Sequence, residues 1–493
     1  MDLGTLHLFV SMVGLTGAVI MVSALLSGVI ERTGVPHVAV FLGLGAIIGP
    51  MGLGLIDAGL QSPLLHIVAT LSLALVLFTD ALSINLGELR RHKVLAALVL
   101  GPGTLASAGF IALAGHFILD IPPAQAAMLG AALASTDPVL LRGLLKDRRL
   151  GGSVRQALRL ESGMNDAALL PVVLVALSVA AGSGEGPAES GARVVLDNFV
   201  LGPAAGVLVG LLGVAALELV RKRMGIRRDY ESLYSLGIAF AAFAAAETVH
   251  GSGFLAAFTA GLTIAILDVE LCDCFLEYGE TTAEMALLFT FVLFGTSLIW
   301  SGLGVITPLT LLFAALVFLL RPLAFLPALW PARALSWRER LLIAWFGPRG
   351  LSSLLLMLLP VIAGVPGAGE LVQVCCLVVL ISIVLHGLSP RVLLGRRARP
   401  DRPETAPAGP GGAEGEDAGS TEPGAGAVID TATVASLRRQ GRPLVVADAR
   451  SHRSFQESDL APEGAVRLDP DRPVSDAARL RLSREAVIAV LCA

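Results

Sequence analysis

Leu160-Glu161-Ser162-Gly163-Met164-Asn165-Asp166-Ala167-Ala168-Leu169-Leu170-Pro171 opens a long apolar segment and puts two carboxylates into it. A carboxylate at the centre of a bilayer costs roughly 2.5–3.5 kcal/mol on insertion scales, so each acid needs something to offset it. On a helix Ser162 and Asp166 are i, i+4 neighbours, and Glu161 and Asn165 form the same pairing on the adjoining face. One stripe carries a hydroxyl beside a carboxylate, an oxygen-ligand arrangement. The other carries an acid beside an amide and lacks a base, which must come from elsewhere in the chain.

The rest of the chain supplies the membrane setting. Of its 493 residues 55% are hydrophobic and 15% charged, against about 25% charged in soluble domains. Apolar runs of about 20 residues recur, the length that spans a bilayer as a helix. We place roughly thirteen spans on hydropathy, near 7–30, 36–55, 63–86, 94–118, 122–146, 154–182, 194–220, 231–249, 252–268, 282–300, 306–329, 339–363 and 369–390. The first run lacks a basic start and reads as a transmembrane helix rather than a cleaved signal. The 54 glycines and 27 prolines suit helices that pack closely and sometimes break. The five cysteines have neither a disulfide framework nor zinc spacing. A net charge of −4 argues against nucleic-acid binding.

Loop charge orients these spans. Arg90-Arg91-His92-Lys93, the Lys146 to Arg155 group, Arg221-Lys222-Arg223, the Arg333 to Arg340 group and Arg391 with Arg396 and Arg397 fall on one side if thirteen helices alternate. The positive-inside rule makes that side cytoplasmic, with the start outside and the tail inside. One loop on that side, Asp268 to Glu284, is acidic instead; acids count little in the rule.

Two spans carry helix-breaking signals with a charge at the break: Ala134-Ser135-Thr136-Asp137-Pro138 in the fifth and Gly347-Pro348-Arg349-Gly350 in the twelfth. Proline removes a backbone donor and disfavours helix in the residue before it. Interrupted helices at corresponding positions of two halves point to a transporter's binding site. Spans five and twelve lie seven apart and so cross in opposite senses, as an inverted repeat of spans one to six and eight to thirteen requires.

After Arg399 the composition changes. Residues 398–427 read as a disordered Pro/Gly linker between a transmembrane part, 1–397, and a soluble part, 428–493. Within the last, Leu444 to Arg450 reads as a buried strand ending in a charged turn, Ala486 to Leu491 as a second strand, and Thr433 to Arg439 as a helix.

These motifs together resemble the monovalent cation:proton antiporter family, in its sodium/proton exchanger branch with the Asn-Asp pair. The resemblance rests on Leu77-Phe78-Thr79-Asp80-Ala81-Leu82, Ser135 to Pro138, Glu161 to Asp166, Gly251-Ser252-Gly253-Phe254-Leu255-Ala256-Ala257-Phe258 and Phe346 to Ser353, and covers residues 1 to about 395. It implies an all-α polytopic fold of inverted repeats with two crossed, broken helices, assembled as a homodimer in the plasma (inner) membrane of a bacterium. Asp166 would bind the cation or the proton in turn, with Thr136, Asp137 and Ser162 lining the cation site. Glu161 and Arg349 would form a structural ion pair with Asn165 alongside, and Asp80 would stand behind the site. Asn at position 165 goes with electroneutral exchange in that family. The tail resembles the front half of a rhodanese domain, a short α/β fragment, over Pro443 to Arg450 and Ala461-Pro462-Glu463-Gly464-Ala465-Val466-Arg467-Leu468. Cys492 stands where that family has its catalytic cysteine, one residue before the end of the sequence; without the following loop, persulfide chemistry is not expected, and the chain reads as a transporter rather than an enzyme.

The resulting expectation is antiport of a monovalent cation, Na+ first and K+ or Li+ as alternatives, against H+, with no cofactor. An ordinary Asp titrates near pH ~3.9, and burial in low dielectric raises such a value, which brings a buried carboxyl towards the working range. Hard monovalent cations want oxygen ligands, which Asp166, Ser162, Thr136 and the carbonyls at the fifth-span break supply. Cation and proton then compete for one carboxylate, and that competition is the coupling. The rival readings are a channel using the same polar path and a transport-fold sensor with the tail as its output. An intramembrane enzyme lacks a constellation, since His250 and His386 read as helix-end or packing residues.

Overall fold

The computed structural model describes residues 37–84, 92–145, 149–180, 196–224, 228–267 and 286–393, positions 14, 17, 21 and 89, and, near the C-terminus, 444–448, 465–468, 479–480 and 487–491. The chain divides into two units, Met1–Asp401 and Arg402–Ala493.

Helices are the regular secondary structure of the first unit's described residues. Its elements are α1 (His37–Ile48), α2 (Pro63–Leu82), α3 (Lys93–Leu119), α4 (Pro123–Ala134), α5 (Pro138–Leu145), α6 (Gly152–Ala180), α7 (Gly202–Met224), α8 (Arg228–Thr248) and α9 (Gly253–Leu267). There follow α10 (Ala286–Thr296), bent by 54° into α11 (Leu298–Gly304), then α12 (Pro308–Ala328), α13 (Trp337–Trp345), α14 (Leu351–Ile362) and α15 (Ala368–Leu393). Among the described residues seven helices are long and apolar enough to cross a membrane, or eight with the bent pair. The other expected spans coincide with shorter apolar helices or broken pairs, and the segment 7–30 lies almost wholly outside the described residues.

Local sequence explains where these helices begin and bend. Proline stands in the first turn of α2, α4 and α12, where its missing N–H has no partner to lose. Reciprocal capping boxes start α12, from Thr307 with Thr310, and α13, from Ser336 with Glu339. Pro102 inside α3 coincides with a π-helical stretch at Val99–Gly103, which absorbs the lost backbone bond.

Small residues set the closest helix contacts. A Cβ on Gly45 would meet the Val292 carbonyl, one on Gly49 the Thr296 carbonyl, and one on Gly295 the Leu42 backbone, so α1 and α10 touch backbone to backbone. Gly202 and Gly206 bring α7 onto Ser252 and Ala256 at the start of α9 in the same way. Lipid tails are as apolar as leucine, so such close packing, rather than water exclusion, holds these helices together. Gly206→Leu is accordingly expected to force α7 from α9 and destabilise the protein by about 1–3 kcal/mol, with detergent-solubilised protein melting at a lower temperature. An unchanged melting temperature would mean that the pair is not held by this contact.

Three apolar clusters follow from the packing. One joins α1, α2, α4, α10, α14 and α15 with parts of α3, α6 and α12; the second joins α2 with α7, α8 and α9; the third joins α5 and α13 with other parts of α3, α6 and α12. Polar side chains are buried where α4, α6, α12 and α14 converge.

The second unit contains a parallel three-stranded sheet in the order β2-β1-β3, with β1 (Leu444–Asp448) central, β2 (Val466–Arg467) and β3 (Val487–Leu491). The continuous apolar runs of β1 and β3 are what a parallel sheet covered on both faces needs. Arg467 donates to Asp448 at 3.5 Å. Cys492 and the segment 433–439 lie outside the described residues.

Candidate functional site

The segments expected as spans five and twelve are both interrupted. Helix stops at Ala134 and resumes at Pro138, and stops again at Trp345 to resume at Leu351. The two breaks touch, the Asp137 N–H donating to the Pro348 carbonyl at 2.9 Å. At this crossing four half-helix ends meet inside the protein, each presenting unsatisfied backbone groups and a partial charge.

Asp137 serves the two positive ends. Its Oδ1 accepts from the N–H groups of Val139 at 2.7 Å and Leu140 at 3.3 Å, and its Oδ2 from Leu351 N–H at 2.6 Å. One carboxylate therefore caps both α5 and α14. Gly350 belongs to the same arrangement, since a Cβ there would meet the Asp137 carboxylate.

Two arginines serve the negative ends. Arg349 donates through Nη1 to the carbonyls of Ala134 at 2.9 Å and Ser135 at 3.2 Å, at the end of α4. Arg321, on α12, donates through Nη2 to the Ile343 carbonyl at 3.1 Å, at the end of α13, and stacks over Phe325 at 4.1 Å. Arg321 also holds Glu161 in a bidentate pair at 2.6 and 2.8 Å, with both side chains at most 3% exposed.

This last contact corrects one expectation. The ion-pair partner of Glu161 is Arg321, not Arg349, because the Arg349 guanidinium is directed at the α4 carbonyls. The signal for Arg321 was present in the sequence: it is a lone arginine in the apolar span 306–329, and its insertion cost is comparable to that of Glu161.

Asn165 and Asp166 lie one residue apart on α6 and face different partners. Asn165 donates through Nδ2 to Thr136 Oγ1 at 2.7 Å, tying α6 to the α4–α5 break. The Ser135 hydroxyl donates to Asp166 Oδ1, and the Ser352 side chain acts on the same carboxyl. The sequence placed Ser162 beside Asp166, but the Ser162 hydroxyl turns back to the Arg159 carbonyl at 3.5 Å. Ser135 fills that place, and its position inside the break was the only sequence signal for it. Asp80 lies in the last turn of α2, partly exposed.

The electrostatic inventory is short. The buried Asp, Glu, Lys and Arg side chains described in the first unit are Asp137, Glu161, Asp166, Arg321 and Arg349. Glu161 has Arg321, and Asp137 has two helix N-termini. Among the described residues, Asp166 has hydroxyl groups and no arginine. Taken in their ordinary ionised forms, three acids and two bases leave one negative charge, which one proton or one monovalent cation at Asp166 would cancel. A carboxylate so placed, next to the hydroxyl and carbonyl oxygens of a broken helix, suits a reversible hard-cation or proton site.

The chain resembles several antiporters in sequence and fold. The chain is 29% identical over 374 residues to the K(+)/H(+) antiporter NhaP2 of Shewanella sp. (strain MR-4), a match covering 75% of this chain and 64% of that protein. The chain thus spans slightly less than two thirds of the length of that relative. It is 23% identical over 360 residues to the Na(+)/H(+) antiporter ApNhaP of Aphanothece halophytica, covering 71% of this chain and 68% of that protein. Its fold is shared with the sodium proton antiporter MjNhaP1 of Methanocaldococcus jannaschii, with a TM-score of 0.64 and 21% identity over 79% of this chain and 98% of that one. The profile of the transmembrane sodium/hydrogen exchangers matches residues 18–395. This polytopic membrane protein belongs to the sodium/hydrogen exchanger family.

Proposed function

We propose that the chain is a secondary antiporter that exchanges a monovalent cation for H+ by letting the two compete for Asp166. The observation that carries this reading is the buried charge inventory, in which, among the described residues, Asp166 alone of the buried acids of the first unit has neither an arginine nor a helix terminus to itself. With either a proton or a monovalent cation bound the site is neutral; empty, it holds one uncompensated charge in low dielectric. The empty site is therefore the costly state for crossing between sides, and that cost enforces exchange over leak. Equal charge on the two loaded forms supports electroneutral, one-for-one exchange, in line with Asn165 binding Thr136 as a neutral amide.

Asp137, Arg321 and Arg349 compensate the four half-helix ends, Glu161 balances Arg321, and Thr136 and Ser135 supply oxygens near the cation, while Ser162 is turned to the Arg159 carbonyl. Thirteen crossings with the start outside and the tail cytoplasmic, a homodimer, and a rhodanese-like cytoplasmic fragment complete the proposed organisation. Sodium is the first candidate cation, on the resemblance of the motifs. Potassium is the second reading, favoured by the name of the Shewanella relative.

Proton flux in proteoliposomes tests this reading, with sodium, potassium and lithium added in turn and membrane potential clamped or free. Cation-driven proton movement that ignores the clamp is the expected result and names the ion. Current without coupled proton movement would make the protein a channel, and flux that follows the potential would end the electroneutral assignment.

A further inference from the structure

Behind the second helix break lies a polar group that the exchange site does not use. Ser382 and His386 sit one turn apart on α15, both buried. The Arg349 N–H, near the far end of the break, donates to Ser382 Oγ at 2.7 Å. Ser382 Oγ lies 3.2 Å from His386 Nδ1, and His386 Nε2 lies 3.3 Å from the carbonyl of Trp345, the last residue of α13. Phe318 and Trp345 flank the imidazole, with ring centroids 5.8 and 6.1 Å away.

The direction of each bond follows by elimination. A carbonyl only accepts, so the contact to Trp345 requires a proton on Nε2. A neutral ring then has a bare Nδ1, which accepts from the Ser382 hydroxyl, whose oxygen accepts from Arg349. The other tautomer would turn Nδ1–H towards the Ser382 carbonyl, also at 3.2 Å, and would leave the Ser382 hydroxyl proton without its acceptor. Of the two neutral tautomers, only the Nε2–H form satisfies all three contacts.

We infer that Ser382 and His386 are positioning residues for the exchange site: they form a directed hydrogen-bond relay that fixes the break 345–349 at both ends. The consequence reaches Asp166 through atoms already described. The relay sets the Arg349 backbone, the Arg349 side chain holds the Ser135 carbonyl, and the Ser135 hydroxyl donates to Asp166. Loosening the relay therefore weakens cation binding before it touches the chemistry of the carboxylate. This inference rests on the exchange reading for its functional consequence, though not for the relay itself.

The test compares His386→Leu, His386→Gln and Ser382→Ala in the full chain, by cation titration of proton flux in proteoliposomes. His386→Leu and Ser382→Ala should raise the half-saturating cation concentration about fivefold, the scale of one buried hydrogen bond, with maximal rate within about twofold of the unsubstituted protein. His386→Gln, whose amide N–H replaces Nε2–H towards Trp345, should recover most of the loss. Unchanged half-saturation in all three would reduce the pair to packing, and a fall in maximal rate alone would overturn the link to cation affinity. A second arm needs no transport. In 15N-histidine-labelled protein in bilayers, the signals lost in His386→Leu should be one protonated and one bare ring nitrogen, the protonated one being Nε2. An imidazolium or an Nδ1–H ring would overturn the relay. Absence of exchange by the unsubstituted protein would instead overturn the antiporter reading and leave the spectroscopic result standing.

Discussion

Asp166→Asn reduces coupled exchange to background while the protein stays folded and becomes indifferent to the transported cation. The substitution keeps volume and leaves an amide oxygen for the Ser135 hydroxyl, so little packing is lost. It also removes the one unbalanced charge among the buried residues described in the first unit: Asp137 and Glu161 are then matched in number by Arg321 and Arg349. The variant thus has neither a carboxyl that can exchange a proton nor a charge that attracts a cation. Thermal melting separates this from simple damage. A ligand present at about 100 times its dissociation constant stabilises the native state by about 2.7 kcal/mol. The unsubstituted protein should therefore melt at higher temperature when its cation is added, and the variant should not, while the two melt alike without it. Coupled exchange by Asp166→Asn, or an undiminished cation-dependent shift, would remove Asp166 from the role proposed for it.

How far the sequence alone reached depends on the kind of signal. Helices were legible because a membrane span needs a long apolar run, and proline with a charge marked both breaks at Asp137 and Arg349. Glu161, Asn165 and Asp166 were legible because acids and amides in such a run are costly enough to require a purpose. The partner of Glu161 was not, because helical periodicity gives the face of a side chain and says nothing of which distant helix meets it. Two buried arginines were available, and their allocation depends on the crossing of the breaks. Arg349 is nearer the α4 carbonyls, which leaves Glu161 to Arg321. Ser162 against Ser135 has the same cause. The i, i+4 spacing put Ser162 beside Asp166 on one helix, yet the hydroxyl that reaches the carboxylate comes from a neighbouring broken one. Ser382 and His386 were missed as a pair, since their meaning comes only from the backbone groups of the break they face.

The reallocation of the arginines gives the second large effect. Arg321→Ala leaves Glu161 buried without its counter-charge, and breaking a buried pair by removing one partner costs about 3–5 kcal/mol. It also strips the α13 terminus of a donor and exposes the face of Phe325. Adding Glu161→Gln to Arg321→Ala should recover a substantial part of that loss, because a neutral amide in the same place no longer carries an unpaired charge. The same Glu161→Gln added to Arg349→Ala should recover much less, since Arg349 is engaged with the Ala134 and Ser135 carbonyls and its loss orphans backbone groups rather than an acid. A double-mutant cycle read by thermal unfolding decides it: coupling of about 0.5–3 kcal/mol is the range for directly interacting residues, and it is expected between positions 161 and 321 and clearly exceeds that between 161 and 349. The reverse order would return the ion pair to Arg349 and with it the allocation of charge on which the solitary status of Asp166 depends.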